Sequence, residues 1–300
     1  MPRRKKSLEP QTTSDYLSTL ENAIRQLAYG QHVFTIFRHF VELSAISLSN
    51  VADPINKAVR EQQYLTIVKQ YKPEQFRQFP SLLGMLALCL EQEQTDVLGR
   101  LYHRLEIHNE QSGQFFTPYP VCLAMAKMLL VPKEALEAQI AERGFIRAQE
   151  PCVGSGAMVI ALAQALREEG INYQQCLHVT AIDLDIIAVH MAYVQCTLLH
   201  IPAIILHGDT LRGETYSVWR TFAHVMGFWD AKLARDHRTL PASEAASPIE
   251  QATQTTDALA PLLVMAVHTP PVVPTDLPQA TPTPHSPRGT KTPSSQLTLF

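Results

Sequence analysis

The sequence predicts an α/β fold built on a parallel sheet and preceded by a helical N-terminal domain. Three observations predict it. Glu150-Pro151-Cys152-Val153-Gly154-Ser155-Gly156 runs at once into the apolar stretch 157–163, the pattern of a strand end, a tight glycine turn and a helix start. Leu177-His178-Val179-Thr180-Ala181-Ile182-Asp183 reads as a second short buried strand ending in an acid. After a helical stretch 186–199, Ile204-Ile205-Leu206-His207-Gly208-Asp209 reads as a third. Strands alternating with helices imply a parallel sheet with helices packed on its faces.

Residues 1–13 carry Arg3-Arg4-Lys5-Lys6 among polar residues and are expected to be disordered. This basic start suits a solubilising tail or contact with a phosphate backbone. Residues 14–108 form a helical domain. Ser14-Asp15 caps a helix whose apolar positions Leu17, Leu20, Ile24 and Leu27 are spaced by three and four. Helical patterns follow over 33–48, over 55–71 with Pro73 as the stop, and over 76–93. Thr95-Asp96 caps the last helix, through Leu98, Leu101, Tyr102 and Leu105. Residues 109–230 hold the sheet. From 231 to 300 the composition turns to Pro, Thr, Ser, Ala and Gln, with too little apolar surface to offset the entropy of ordering, so a disordered tail is expected.

The 300 residues are 46% hydrophobic, enough for a real core, and a net charge of −3 confines any nucleic-acid contact to a local patch. Five cysteines, an odd number without a Cys-x-x-Cys pair, argue against a disulfide framework or a zinc site and fit a reducing cytoplasm. No metal is expected. No uncharged apolar run reaches membrane-spanning length, and no apolar segment follows the basic start as a secretory signal would require.

The glycine loop, with its amides at the positive end of a helix, suits a nucleotide-like cofactor, although a plain strand-to-helix turn would look the same. Asp183 at the second strand end can accept hydrogen bonds from both ribose hydroxyls of a nucleoside. Asp209 at the third can accept from an adenine amino group. Upstream, Gly113-Gln114-Phe115-Phe116-Thr117-Pro118-Tyr119-Pro120 leads into an apolar helix from Val121 to Leu130.

This stretch followed by the Glu-Pro-Cys-Val-Gly-Ser-Gly loop resembles the amino-DNA methyltransferases, especially the modification subunits of type I restriction systems, over roughly residues 90–215. The resemblance implies a Rossmann-like fold, its parallel sheet truncated relative to the family's, that binds S-adenosylmethionine (SAM) and transfers its methyl group to adenine N6 in DNA. In that reading Phe116, Thr117 and Pro118 cover the methionine end. Glu150, Pro151, Cys152, Gly154, Ser155 and Gly156 hold it from below, Asp183 and Leu184 meet the ribose, and Asp209 meets the adenine. Glu150 stands where the family usually has Asp. By analogy the helical domain grips DNA.

The family pattern next requires a strand ending in Asn/Asp-Pro-Pro-aromatic, whose polar groups bind the target amine while the ring stacks on a flipped-out base. Residues 214–235 carry Tyr216, Trp219, Phe222, Phe228 and Trp229 but no Pro-Pro. Their spacing suggests an amphipathic helix packed on the sheet; an aromatic platform for a base is the alternative. Thr269-Pro270-Pro271, after the apolar run 262–267, is either a degenerate catalytic loop or part of a proline-rich tail. The chain ends in Gln296-Leu297-Thr298-Leu299-Phe300, similar to the motif that docks proteins on the bacterial sliding clamp, with Gln296 at the pocket rim and Leu297, Leu299 and Phe300 available to the cleft. Two functions stay open: a DNA methyltransferase, its site completed by the Thr269 segment or a second subunit, or a catalytically impaired SAM-binding accessory protein recruited through the clamp.

Overall fold

A computed structural model of the chain describes residues 12–107, 116–239 and 263–264. Thr12 caps α1 (Thr13–Leu27) in a reciprocal pairing with Asp15, and Leu17, Leu20, Ile24 and Leu27 face the interior as their spacing requires. Then come α2 (Val33–Ala52), α3 (Lys57–Val68), the single turn α4 (Pro73–Phe76) and α5 (Gln78–Gln92). Pro73 opens a turn here as well as closing the preceding stretch. Asp96 caps α6 (Val97–Arg104), its side chain accepting from the Gly99 amide.

The second half runs α7 (Tyr119–Leu129), α8 (Lys133–Arg143), β1 (Ile146–Glu150), α9 (Ala157–Glu168), the turn α10 (Tyr173–Cys176), β2 (Leu177–Asp183), α11 (Ile186–Leu198) and β3 (Ala203–Asp209). β4 (Glu214–Arg220), α12 (Phe222–Met226), α13 (Trp229–Thr239) and the two-residue β5 (Leu263–Val264) follow. The strand order is β4-β3-β2-β1-β5. β1, β2, β3 and β5 are parallel to their neighbours, whereas β4 is antiparallel to β3.

The sheet is therefore mixed, and two expectations need correction. The segment 214–220 is an edge strand, and helix begins only at Phe222. A tight turn makes this possible. Asp209 Oδ1 accepts from the amides of Leu211 and Arg212, and Gly213 takes a φ of 69°. At Gly208 the returning strand passes so close that a Cβ would lie 2.3 Å from the Glu214 carbonyl oxygen. Secondly, α13 continues the ordered fold past residue 230, with Trp229 buried against Phe145 and Asp236 paired to Arg147 at 3.1 Å.

Helices and sheet share one hydrophobic core, from Leu17 on α1 to Trp219 on β4. α2 lies along α11, and α11 covers β2 and β3. A buried ion pair locks the helical segment to the sheet edge. Arg60 on α3 pairs with Asp53 at 2.7 Å, donates to the Val218 carbonyl at 2.8 Å and lies 3.8 Å above the Trp219 ring. Among the described residues no helix is long and apolar enough to cross a membrane.

Candidate cofactor site

Because β1, β2 and β3 are parallel, their carboxyl ends open on one edge of the sheet. The register pairs Glu150 with Ala181 and Asp183 with His207, so each strand projects about two residues beyond the last. The glycine loop between β1 and α9 occupies the step. Gly154 (φ 54°) and Gly156 (φ 96°) both adopt left-handed backbone that a side chain would strain. Space is also closed: a Cβ on Gly154 would lie 3.1 Å from the Phe116 ring, and one on Gly156 3.2 Å from the Ala192 Cα of α11.

Hydrogen bonds stitch the three strand ends together. The Gly154 amide donates to Asp183 Oδ2 at 2.8 Å, the Val153 amide to the Ile182 carbonyl at 2.9 Å, and the Thr210 hydroxyl to the Pro151 carbonyl at 2.6 Å. The structure thus brings together Phe116, the loop 150–156, Asp183 with its neighbour Leu184, and Asp209. Leu184 is exposed, and its carbonyl is bonded to the His207 ring at 3.2 Å. Asp183 has a structural task as well, since its other oxygen accepts from the Asp185 amide at 2.9 Å. Asp209 caps its own turn and faces Arg212 at 3.5 Å. Thr117 and Pro118 are exposed at the start of α7. Gly113, Gln114, Phe115, Thr269, Pro270, Pro271 and Gln296–Phe300 lie outside the described residues.

Burial pushes the Glu150 carboxyl up to about 7, and a hydrogen bond from the Cys152 amide offsets only part of this. Burial likewise raises Asp183, against the opposing pull of the Asp185 and Gly154 amides. Among the described residues neither acid has an ion-pair partner. Two such acids beside the glycine turn offer acceptors for a ligand with a cationic head and sugar hydroxyls. Both features belong to SAM, so the residues fit that group. No cluster of His, Cys, Asp or Glu among the described residues could hold a metal ion. A separate cleft of about 740 Å³, with Gln94, Tyr119, Gln164 and Tyr173 in its wall, contains none of these residues.

Sequence reasoning missed the support behind the loop. Asp96, recognised only as a helix cap, also accepts from the Ser155 hydroxyl and from Gln195 Nε2, although these partners lie 59 and 99 residues away. Tyr102 and His103 hold Phe116, by an edge-on ring contact at 5.0 Å and a hydrogen bond to its carbonyl at 3.2 Å. The local signals were the cap at Asp96 and, for Thr210, its place beside the expected Asp209.

Residues 93–239 match the family model of N-6 DNA methylases. Over that segment, just under half of its length, the chain is similar to the N-6 DNA methylases. The matched segment runs from the end of α5 to the end of α13 and so includes every described residue of the crevice. No curated protein matches the chain in sequence. Among solved structures it is similar to a protein described as a class I SAM-dependent methyltransferase from Listeria monocytogenes (15% identity, TM-score 0.38, 66% of this chain and 54% of that one). It is also similar to a type I restriction-modification methyltransferase subunit from Streptococcus thermophilus (15%, 0.36, 67% and 59%) and to a chain of the DrdV–DNA complex (15%, 0.34, 68% and 26%). The chain spans less than two thirds of the length of each.

Proposed function

We propose that this chain is an N-6 DNA methylase-like protein that binds SAM at the carboxyl edge of β1–β3 and serves methyl transfer to adenine N6 in DNA. The observation that carries the reading is the closed set of contacts linking Phe116, Gly154, Asp183 and Thr210 around the glycine loop, within the segment that matches the family. Glu150–Gly156 would seat the methionine end, covered by Phe116, Thr117 and Pro118. Asp183 and Leu184 would meet the ribose, and Asp209 the adenine. When bound, SAM supplies a methyl group activated by its sulfonium. The chain's part is orientation: the amides fix the loop, and Phe116 closes its outer side against water.

The groups that receive the base come from Thr269-Pro270-Pro271 or from a second subunit. The sequence order, an apolar run followed by Thr-Pro-Pro, supports the first source. The absence of an Asn/Asp-Pro-Pro-aromatic sequence favours the alternative, a SAM-binding accessory protein without turnover of its own. All five cysteines are free thiols, which supports a reducing, cytoplasmic setting.

Transfer of labelled methyl groups from SAM to unmethylated DNA tests the proposal, with calorimetry for SAM affinity. Asp183→Ala is expected to weaken SAM binding by at least about 1 kcal/mol and to abolish incorporation. Unchanged affinity removes the cofactor assignment, and binding without incorporation by the wild-type chain selects the accessory reading. We further propose that Gln296, Leu297, Leu299 and Phe300 dock on the bacterial sliding clamp. Deleting 296–300 is expected to eliminate binding to purified clamp, and retained binding disposes of the idea.

A further inference from the structure

We infer that α6 braces the cofactor loop, with Asp96 and Gln195 as positioning residues that hold Ser155, and hence the loop, from behind. The inference rests on reading that loop as the seat of SAM. Asp96, Ser155 and Gln195 are all buried, at 3%, 1% and 0% exposure. The Ser155 hydroxyl donates to Asp96 Oδ2 at 2.5 Å, while the Gly99 amide (2.8 Å) and Gln195 Nε2 (2.9 Å) donate to Asp96 Oδ1. Gln195 Nε2 also donates to the Ser155 carbonyl at 2.8 Å, and Gln195 Oε1 accepts from the Leu98 amide at 3.0 Å.

Three elements therefore meet at one buried carboxylate: the first turn of α6, the last turn of α11 and the glycine loop. No cation is paired with Asp96 among the described residues, and an apolar side chain would fill the space without desolvating a charge. The carboxylate instead fixes three donors at a single point, which defines a loop conformation more than it adds stability. Gly99 lets the pieces close, since a Cβ there would fall 2.0 Å from Asp96 Oδ2 and 2.8 Å from Ser155 Oγ.

The other end of α6 holds the opposite side of the loop, where Tyr102 and His103 set Phe116 against Gly154. A single helix thereby positions both the floor of the loop and its cover. Arg104 and Arg25 tie it back to α1 through Glu21, Ser18 and the Arg104 carbonyl.

The test uses the full chain and three variants, Ser155→Ala, Asp96→Asn and the double. SAM affinity is read by calorimetry, amide hydrogen exchange at 153–156 without ligand, and the unfolding midpoint in denaturant. Ser155→Ala leaves the α6 cap intact and keeps the test available if Asp96→Asn fails to fold. Each single variant is expected to raise the Kd for SAM about tenfold and to speed exchange at the loop. The double is expected to fall well short of the product of the singles, because both remove the bond from the Ser155 hydroxyl to a charged carboxylate. A lowered midpoint with unchanged Kd and unchanged loop exchange assigns these residues to stability alone and overturns the inference. Should the wild-type chain not bind SAM, the cofactor reading fails, and loop exchange still decides the brace: faster in the variants upholds it, unchanged overturns it.

Discussion

Arg60→Ala is expected to destabilise the fold by about 3–5 kcal/mol, the usual effect of breaking a buried ion pair from one side. Arg60 and Asp53 are 5% and 8% exposed. The guanidinium is also bonded to Ser49 and to the Val218 carbonyl, and it stacks on Trp219. Its loss leaves the Asp53 carboxylate with only Asn56 for support, at 2.7 Å from the side-chain amide and 3.2 Å from the backbone. Asp53→Ala is expected to do comparable harm, since it strands the guanidinium. Arg60→Met with Asp53→Leu removes both charges while keeping apolar bulk over Trp219, and should recover much of the loss. Denaturant unfolding of the four proteins checks this; a double variant no more stable than the singles would show that packing, not charge pairing, holds the edge strand.

The contrast between this pair and the crevice explains what could be read from the sequence. β1, β2 and β3 each end in an acid, Glu150, Asp183 and Asp209, next to turn residues that mark those ends in the sequence, and parallel order puts them on one edge. β4 is different. The residues of Glu214–Arg220 are mostly exposed or half-buried, and only Trp219 is buried, so no alternation announces a strand. Its aromatics merge with those of α12 and α13 into what resembles one helical stripe. Arg60, Asp96 and Gln195 were illegible for another reason: their partners are distant in sequence, and only the half of Asp96 that caps its own helix leaves a local trace. Asp183 was legible as an acid at a strand end, but nothing in the sequence tells a ligand's acceptor from a brace for Gly154. The structure gives it the second role, and its unused lone pairs leave room for the first.

Acid is expected to unfold the chain in a way that two substitutions change in opposite directions. Burial holds His178 and His190 near 3, far below the 6.5 of an unfolded histidine. His178 lies 3.0 Å from His224, which faces Asp230, while Arg147 and Lys232 add repulsion to a charged His178. His190 sits edge-on to Trp219, with Arg60, His207 and Arg38 opposing its charge. The unfolded chain takes up these protons first, so the stability due to neutral histidines is whole above about pH 6.5 and drains away as pH falls toward 3. By linkage each contributes a loss of about 2 kcal/mol between pH 7 and pH 5. Glu150 acts in reverse. Its folded value of about 7 lies above the unfolded 4.5, so the folded chain takes up this proton first and gains about 2 kcal/mol over the same interval. His178→Gln should therefore flatten the acid loss and Glu150→Gln should steepen it, each by about 2 kcal/mol, in denaturant unfolding at pH 7 and pH 5. If both variants keep the wild-type slope, these groups are hydrated in solution and the histidine pair between β2 and α12 opens to water.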